Sequence, residues 1–424
     1  MECQVSTWRD VISCAAITHV GMRRHNNQDS LKVALANSDE EWVQQGHLFL
    51  VADGMGAHAA GEFASRLAAD SIPLSYRKLA REGPAYAIRE AIQDANRQIH
   101  VRGQGSDEFR GMGTTLCALI LFPNEAFLAH VGDSRVYRLR GNQFEQLTFD
   151  HSLAWELRAA QRVAPHSEFM PYIPKNVITR SLGPNPEVNV DLEGPFELKE
   201  GDVFVLCTDG LSGPIPDDQI GKIVACLPPA EAAELLVHLA NFKGGPDNIT
   251  VIIVRVNRVD QARSSSQRRW PSSKTKTGWF SKLAAWSALI GVFVAALGLW
   301  LAQSDVIWIG LIILILGVVA FLGDYFWRFW PWNWSSAPAR KFRSGPYHQL
   351  ECRPDRAFCE QLREFIDNLT QHGQREQWPI DSEELVKYQT SGEEALGRND
   401  FREAARQFGK AISHLMKPLF SRPN

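Results

Sequence analysis

Four short apolar runs in this chain end in, or run directly into, an aspartate that meets a glycine or an asparagine: Asp53 in LFLVADGMG, Asp133 in AHVGDSR, Asp209 in VLCTDGLSG and Asp247 in GGPDNITV. A carboxylate at the mouth of a buried strand is costly unless something compensates its charge. Repeated four times, the pattern implies that the strand ends converge on shared cations. Asp29, in RRHNNQDS, brings the set to five. Without metal, about five negative charges would then crowd one pocket and repel one another. No His or Cys shares these spacings, and an all-oxygen donor set favours hard ions, Mg²⁺ or Mn²⁺, over zinc.

The surrounding sequence, from about residue 10 to 258, alternates apolar runs with Gly, Asp and Asn turns: HLFLVADG, TTLCALILF, AFLAHVGD, RVYRL, DVFVLCTDG and NITVIIVRV read as strands. Helical spacing is confined to residues 61–79, 85–101 and 230–242. Short turns between consecutive strands predict largely antiparallel sheets with helices as outer layers, an α+β architecture and not a doubly wound one.

Residues 259–282 are rich in Ser, Arg and Lys with almost no apolar periodicity, the composition of a linker. Two uncharged apolar runs follow, 283–302 and 306–323, separated only by Gln303, Ser304 and Asp305. At about 1.5 Å per residue each is long enough, or nearly so, for a hydrocarbon core of roughly 30 Å. The expectation is a transmembrane helical hairpin. Basic residues flank both outer ends (Arg263, Arg268, Arg269, Lys274, Lys276 and Lys282 before, Arg328, Arg340, Lys341 and Arg343 after), while the connector has none. The positive-inside rule then places both flanks, and so the N-terminal domain and the C-terminus, on the cytoplasmic side of a cell (inner) membrane crossed twice. Nine of the thirteen tryptophans fall between Trp270 and Trp334, which suits interfacial anchoring in lipid.

Residues 335–424 return to helical patterning. Phe358, Leu362, Phe365, Ile366 and Leu369 form one apolar stripe, and Tyr388, Gly392, Phe401, Ala404, Phe408 and Ala411 match a single tetratricopeptide-like unit, although an ordinary helical hairpin fits the same pattern. One such unit cannot bury its own face, so it must pack on the preceding helix or on a protein partner.

Eight motifs, GMRRHNNQDS, DGMGAHAAGE, GMGTTL, HVGDSRVYRLR, LTFDHSL, VITRSLG, TDGLSG and GGPDNITVIIV, occur in one order across residues 10–258. In that respect the sequence resembles the bacterial branch of the type 2C metal-dependent serine/threonine protein phosphatases. The resemblance implies a four-layer αββα sandwich with two antiparallel sheets and a binuclear Mg²⁺ or Mn²⁺ centre at one edge. Carried over position by position, it implies that Asp53 bridges both core ions, that the Gly54 carbonyl binds one of them, and that Asp209 and Asp247 complete the other. Asp29 corresponds to the outer carboxylate that holds water, and Asp133 with Asp209 to a weaker third-ion site. Arg24 stands where the family places its phosphate-binding arginine, whose planar fork meets two phosphoryl oxygens at once. The implied substrate is a phosphoprotein, and the implied counterpart a Ser/Thr kinase. The stretch 151–180, with Trp155, Phe169 and Tyr172, corresponds to the family's flap.

There are departures. Met55 stands where eukaryotic relatives carry a histidine proposed as general acid; His58 lies three residues on, Ala57 replaces a glycine, and Gln28 replaces an acid. Neither a Cys-x5-Arg loop nor a GxxxxGK[ST] cradle is present, and Cys207 reads as a core thiol and not a nucleophile. A net charge of only −3 with 22% charged residues argues against nucleic acid as a partner. Seven scattered cysteines suit a reducing compartment, and the N-terminus lacks the apolar core of an export signal. The competing reading is a silent phosphoprotein-binding scaffold; five intact acidic positions argue against it.

Overall fold

The computed structural model describes residues 2–8, 10–56, 59–105, 107–160, 174, 177–259, scattered positions between 292 and 315, 345–376, 378 and 381–420. Two antiparallel sheets form the centre. One has the order β1 (Glu2–Trp8), β2 (Ile12–His19), β12 (Ile249–Val256), β11 (Val203–Cys207), β8 (Arg135–Arg140), β9 (Gln143–Gln146) and β13 (His348–Glu351). The other runs β10 (Asp191–Glu197), β7 (Glu125–Val131), β6 (Leu116–Leu121), β4 (His47–Met55) and β3 (Asp29–Ala34), with the short β5 (Gly113–Thr114) pairing β4.

The near-continuous apolar runs arise because most of these strands are covered on both faces. In β12, Ile252, Val254 and Val256 point between the sheets, where they meet Phe49, Val51, Leu119 and Leu128 from the opposite sheet. Their neighbours Ile249, Val251 and Ile253 point outward, into a second core built on α7 (Pro229–Phe242) and α6 (Asp217–Cys226). On the far side, α2 (Ala60–Leu79) packs on β3 and β4 and against α3 (Pro84–Gln104). The α+β fold with two antiparallel sheets and helices on both sides is thus observed.

Residues Met1–Arg268 and Phe342–Asn424 make one compact unit, and Arg269–Lys341 a second. In the first, the C-terminal helices Arg356–Arg375, Ser382–Gly397 and Phe401–Phe420 pack on one another, and the last of them also lies on α7 and α6. The tetratricopeptide-like pair therefore buries its apolar face on its own chain: Ala404, Ala405, Phe408, Ala411, Ile412 and Leu415 share one core with Leu235 and Leu236. Gly392 is required there, because a Cβ would approach the Phe408 ring to 2.4 Å.

Apart from scattered positions, the expected hairpin at 283–323 lies outside the described residues, as do nearly all of the linker 259–282 and the basic flank that follows the hairpin. Among the described residues no helix is long and apolar enough to cross a membrane.

Candidate active site

The strand register places Asp29 directly opposite Asp53 across β3 and β4. Asp53 is gripped by its backbone: its N–H donates to Thr115 Oγ1 at 3.0 Å, and its carbonyl accepts from Thr114 Oγ1 and the Thr115 N–H, each at 2.9 Å. That is the structural work of the two threonines in GMGTTL. Gly54 follows because the start of α2 presses on it; a Cβ there would lie 2.1 Å from the Gly61 carbonyl oxygen. Asp209 opens the short helix α5 (Asp209–Ser212) at the end of β11, and Gly210 packs so closely that a Cβ would lie 1.9 Å from the Asn248 carbonyl oxygen. The glycine of each Asp-Gly pair is fixed by a close backbone approach, which no side chain tolerates.

Asp247 precedes β12, and its neighbour Asn248 ties the loop carrying Arg24 to the sheet. Asn248 Nδ2 donates to the carbonyls of Val20 and Asn26 at 2.8 and 3.0 Å, and Asn248 Oδ1 accepts from the Gln28 N–H at 2.8 Å. Arg24 is consequently held beside the acidic cluster, its Nη2 2.8 Å from Asp247 Oδ2, with both side chains partly exposed. Thr208 Oγ1 donates to Asp29 Oδ2 at 2.8 Å and accepts from the Thr250 N–H at 3.1 Å. The sequence reading gave no role to Asn248, Thr208 or Thr115, although all three fall inside its motifs; Asn248 and Thr208 each adjoin one of the aspartates, whereas Thr115 adjoins none.

Asp133 lies on a turn clasped from two sides. The Gly132 N–H donates to His151 Nδ1 at 2.9 Å, and the His151 N–H donates to the Gly132 carbonyl at 2.7 Å. Gly132 takes φ +112°, with Thr115 packed against the place a Cβ would occupy.

Charge shows which of the predicted residues meet. Desolvation, then Asp29, Asp209, Asp133 and Asp247, hold the Asp53 carboxyl well above its ordinary range. Burial, with added repulsion from Asp209 and Asp247, raises Asp29 to about 7 against hydrogen bonds from Thr250 and Thr208. Burial, then Asp209 and Asp150, raises Asp133 to about 7. Asp209 is raised as well, by desolvation and then by Asp247. All five sequence-predicted aspartates therefore lie within electrostatic reach of one another, with Arg24 paired to Asp247. Among the described residues no group of three or more His, Cys, Asp or Glu side chains is arranged to hold a metal ion, so the aspartates converge as a field of charge and not as a formed coordination shell. The donor set nonetheless suits hard cations: the buried oxygens Asp29 Oδ1, Asp133 Oδ1 and Asp209 Oδ1 have no hydrogen-bond partner. Cys207 is fully buried and burial pushes its thiol pKa up, as expected of a core residue. Ala57 and His58 lie outside the described residues, as do Phe169 and Tyr172 in the stretch 151–180.

The fold, with its aspartates at or beside strand ends, is one that the chain shares with known hydrolases. The family model for protein phosphatase 2C matches residues 22–237. Protein phosphatase PhpP of Streptococcus pneumoniae is 37% identical over 249 residues, covering 58% of this chain and 97% of the relative. Serine/threonine phosphatase stp of Listeria welshimeri is 35% identical over 255 residues, 59% of this chain and 98% of the relative. Among solved structures, the Mycobacterium tuberculosis serine/threonine phosphatase PstP/Ppp superposes with a TM-score of 0.51 at 34% identity, covering 58% of this chain and 100% of that one. The chain belongs to the protein phosphatase 2C family and is a metal-dependent protein serine/threonine phosphatase. The family match ends before the C-terminal helices begin.

Proposed function

We propose that the chain hydrolyses phosphoserine and phosphothreonine in proteins by direct attack of water, at two Mn²⁺ or Mg²⁺ ions held by Asp53, the Gly54 carbonyl, Asp209 and Asp247. Asp29 serves as the outer carboxylate, and Asp133 with Asp209 as a weaker third site. The observation that carries this reading is the unpartnered buried oxygens of Asp29, Asp133 and Asp209 within one mutually repelling set. Bound there, a pair of hard divalent cations supplies a nucleophile near neutral pH and neutralises the phosphoryl oxygens.

The chain's own residues do the remainder. Thr114, Thr115 and Asn248 fix the backbone on either side of the pocket. Arg24 exchanges its partner, from the Asp247 carboxylate to two phosphoryl oxygens of the substrate, a geometry that its fork matches. Cys207, buried with a raised pKa, forms no covalent intermediate.

The uncharged runs at 283–302 and 306–323 with their basic flanks support a membrane tether in lipid, the catalytic unit and C-terminus facing the cytoplasm and opposing a Ser/Thr kinase. The C-terminal helices, the last of them packed on α7 and α6, offer their remaining face to a protein partner. To test the reaction, the full chain is given a phosphothreonine peptide with Mn²⁺, then excess chelator. Release of phosphate that stops on chelation is expected; turnover that survives chelation overturns the reading. A reporter joined after residue 345 tests topology, with a cytoplasmic signal expected and an external one contradicting the tether.

A further inference from the structure

Strand β13 extends the catalytic sheet by pairing with β9, His348 opposite Gln146 and Glu351 opposite Gln143. Just before it, Tyr347 reaches the other sheet: its N–H donates to the Gln146 carbonyl at 2.8 Å and its hydroxyl to Glu193 Oε1 at 2.6 Å. Glu193, in β10, is only 1% exposed and also accepts from the Gly345 N–H at 3.3 Å. A carboxylate so buried is costly without donors, so the contact ties this segment to both sheets at once.

The Tyr347 ring makes a second connection. It meets Phe149 edge-on, with centroids 5.6 Å apart, and Phe149 in turn meets Trp155 edge-on at 6.0 Å. Trp155 belongs to α4 (Leu153–Ala159), which begins two residues after the His151 that clasps Gly132 beside Asp133. The Arg135 guanidinium lies 5.6 Å from the centre of the Trp155 ring while its Nη2 and Nε bond Asp150 at 2.7 and 2.9 Å. An aromatic chain therefore runs from the C-terminal segment to a helix standing next to the acidic pocket. The rest of the segment is anchored elsewhere on the catalytic unit, by the bidentate pair of Arg406 with Glu231 and by Cys352 against Gly221.

We propose that Tyr347 is a positioning residue for substrate binding: the C-terminal segment holds α4 in place through Phe149, so residues 345–420 complete the phosphoprotein site and are not merely an attached module. This deepens, and rests on, the phosphatase reading above. On this proposal a peptide substrate rests against α4 beside the aspartates, whereas a small aryl phosphate engages the aspartates without it. Side chains displaced from a binding surface by about 1 Å cost up to roughly a hundredfold in rate.

The test uses the full chain with Mn²⁺, comparing Tyr347→Ala and Tyr347→Phe on a phosphothreonine peptide and on p-nitrophenyl phosphate, with thermal midpoints measured alongside. Tyr347→Ala is expected to raise the peptide KM by about tenfold and leave both constants for p-nitrophenyl phosphate within about twofold. Tyr347→Phe, which keeps the ring against Phe149 and loses only the bond to Glu193, is expected to raise the peptide KM less. Unchanged peptide KM in both variants overturns the proposal, and so does an equal loss on both substrates that follows the thermal midpoint, because that is what a purely structural role gives. If the unaltered chain turns over neither substrate, the phosphatase reading itself fails, a separate result.

Discussion

The acidic pocket and the seam between α7 and the last C-terminal helix are both parts of one compact unit, and they treat charge in opposite ways. At the seam both glutamates of α7 meet cations: Glu231 faces Arg406 at 3.0 Å and Lys410 at 3.8 Å, and Glu234 faces Lys417 at 4.0 Å. Beneath them lies an apolar core of leucines, alanines and Phe408. At the pocket, burial and then the charge of neighbouring aspartates hold Asp29, Asp53, Asp133 and Asp209 above the ordinary carboxyl range, and among the described residues three of their buried oxygens find no donor. The seam is arranged for stability. The pocket holds an unfavourable concentration of charge that a cation bound as proposed would relieve, so stability and catalysis would draw on different regions and separate on mutation.

The sharpest separation comes from Asp209→Asn. Phosphatase activity of the full chain should fall by at least about a hundredfold, whereas Cys207→Ser should stay within a few-fold, as read by phosphate release from a phosphothreonine peptide. In chelator the same Asp209→Asn change should stabilise the fold by about 1 kcal/mol at pH 8, measured by denaturant melting, since it removes one of several repelling charges. A loss of metal-free stability would show that the aspartates are satisfied without cations.

Gly392→Ala acts on the other region. Its Cβ would meet the Phe408 ring at 2.4 Å, so overpacking should cost about 1–3 kcal/mol by chemical denaturation. Metal affinity should hold constant, and a parallel fall in metal affinity would join the two regions that are held apart here.

pH gives a third contrast. Asp29 and Asp133 hold protons in the folded state up to about 7, while an unfolded carboxyl releases its proton near 4. Between those values Asp29 and Asp133 keep protons that the unfolded chain has released. Their own contribution to metal-free stability, read as the difference between the unaltered chain and one carrying Asp29→Asn and Asp133→Asn, should therefore fall as pH rises from about 4 to about 7. His19, His47, His130 and His238, whose pKa values burial lowers, act in the opposite sense in both chains and cancel. Saturating Mn²⁺ should flatten that slope. Smallest of all, Arg406→Ala should cost about 0.5 kcal/mol, because its pair with Glu231 is partly exposed.

The site was more legible in the sequence than the assembly around it. Asp53, Asp133 and Asp209 close apolar runs and Asp247 leads into one, so those four carboxylates could be read from local pattern, whereas Asp29, which opens β3 behind a polar stretch, carries no such mark. What local pattern does not carry is polar contact across the chain: Thr208 reaches Asp29 over 179 positions and Asn248 reaches Asn26 over 222. Nor did it show why glycine follows Asp53 and Asp209, since the pressing carbonyls belong to Gly61 and Asn248. The docking of the C-terminal helices was half visible. Their apolar stripe required a cover, and α7 itself is apolar over most of its circumference, with Ala232, Ala233, Leu235, Leu236, Val237, Leu239 and Ala240 all buried. A helix of that kind needs neighbours on both faces, which one sheet cannot supply.

The central claim is that the aspartate cluster takes up divalent cations by giving up protons. Calorimetric titration of the full chain with Mn²⁺ near pH 7, repeated in buffers of different ionisation enthalpy, measures both events at once. At least two ions should bind with net proton release, and Asp53→Asn should abolish the tighter binding. Absence of binding, or binding without proton release that Asp53→Asn leaves unchanged, would contradict it.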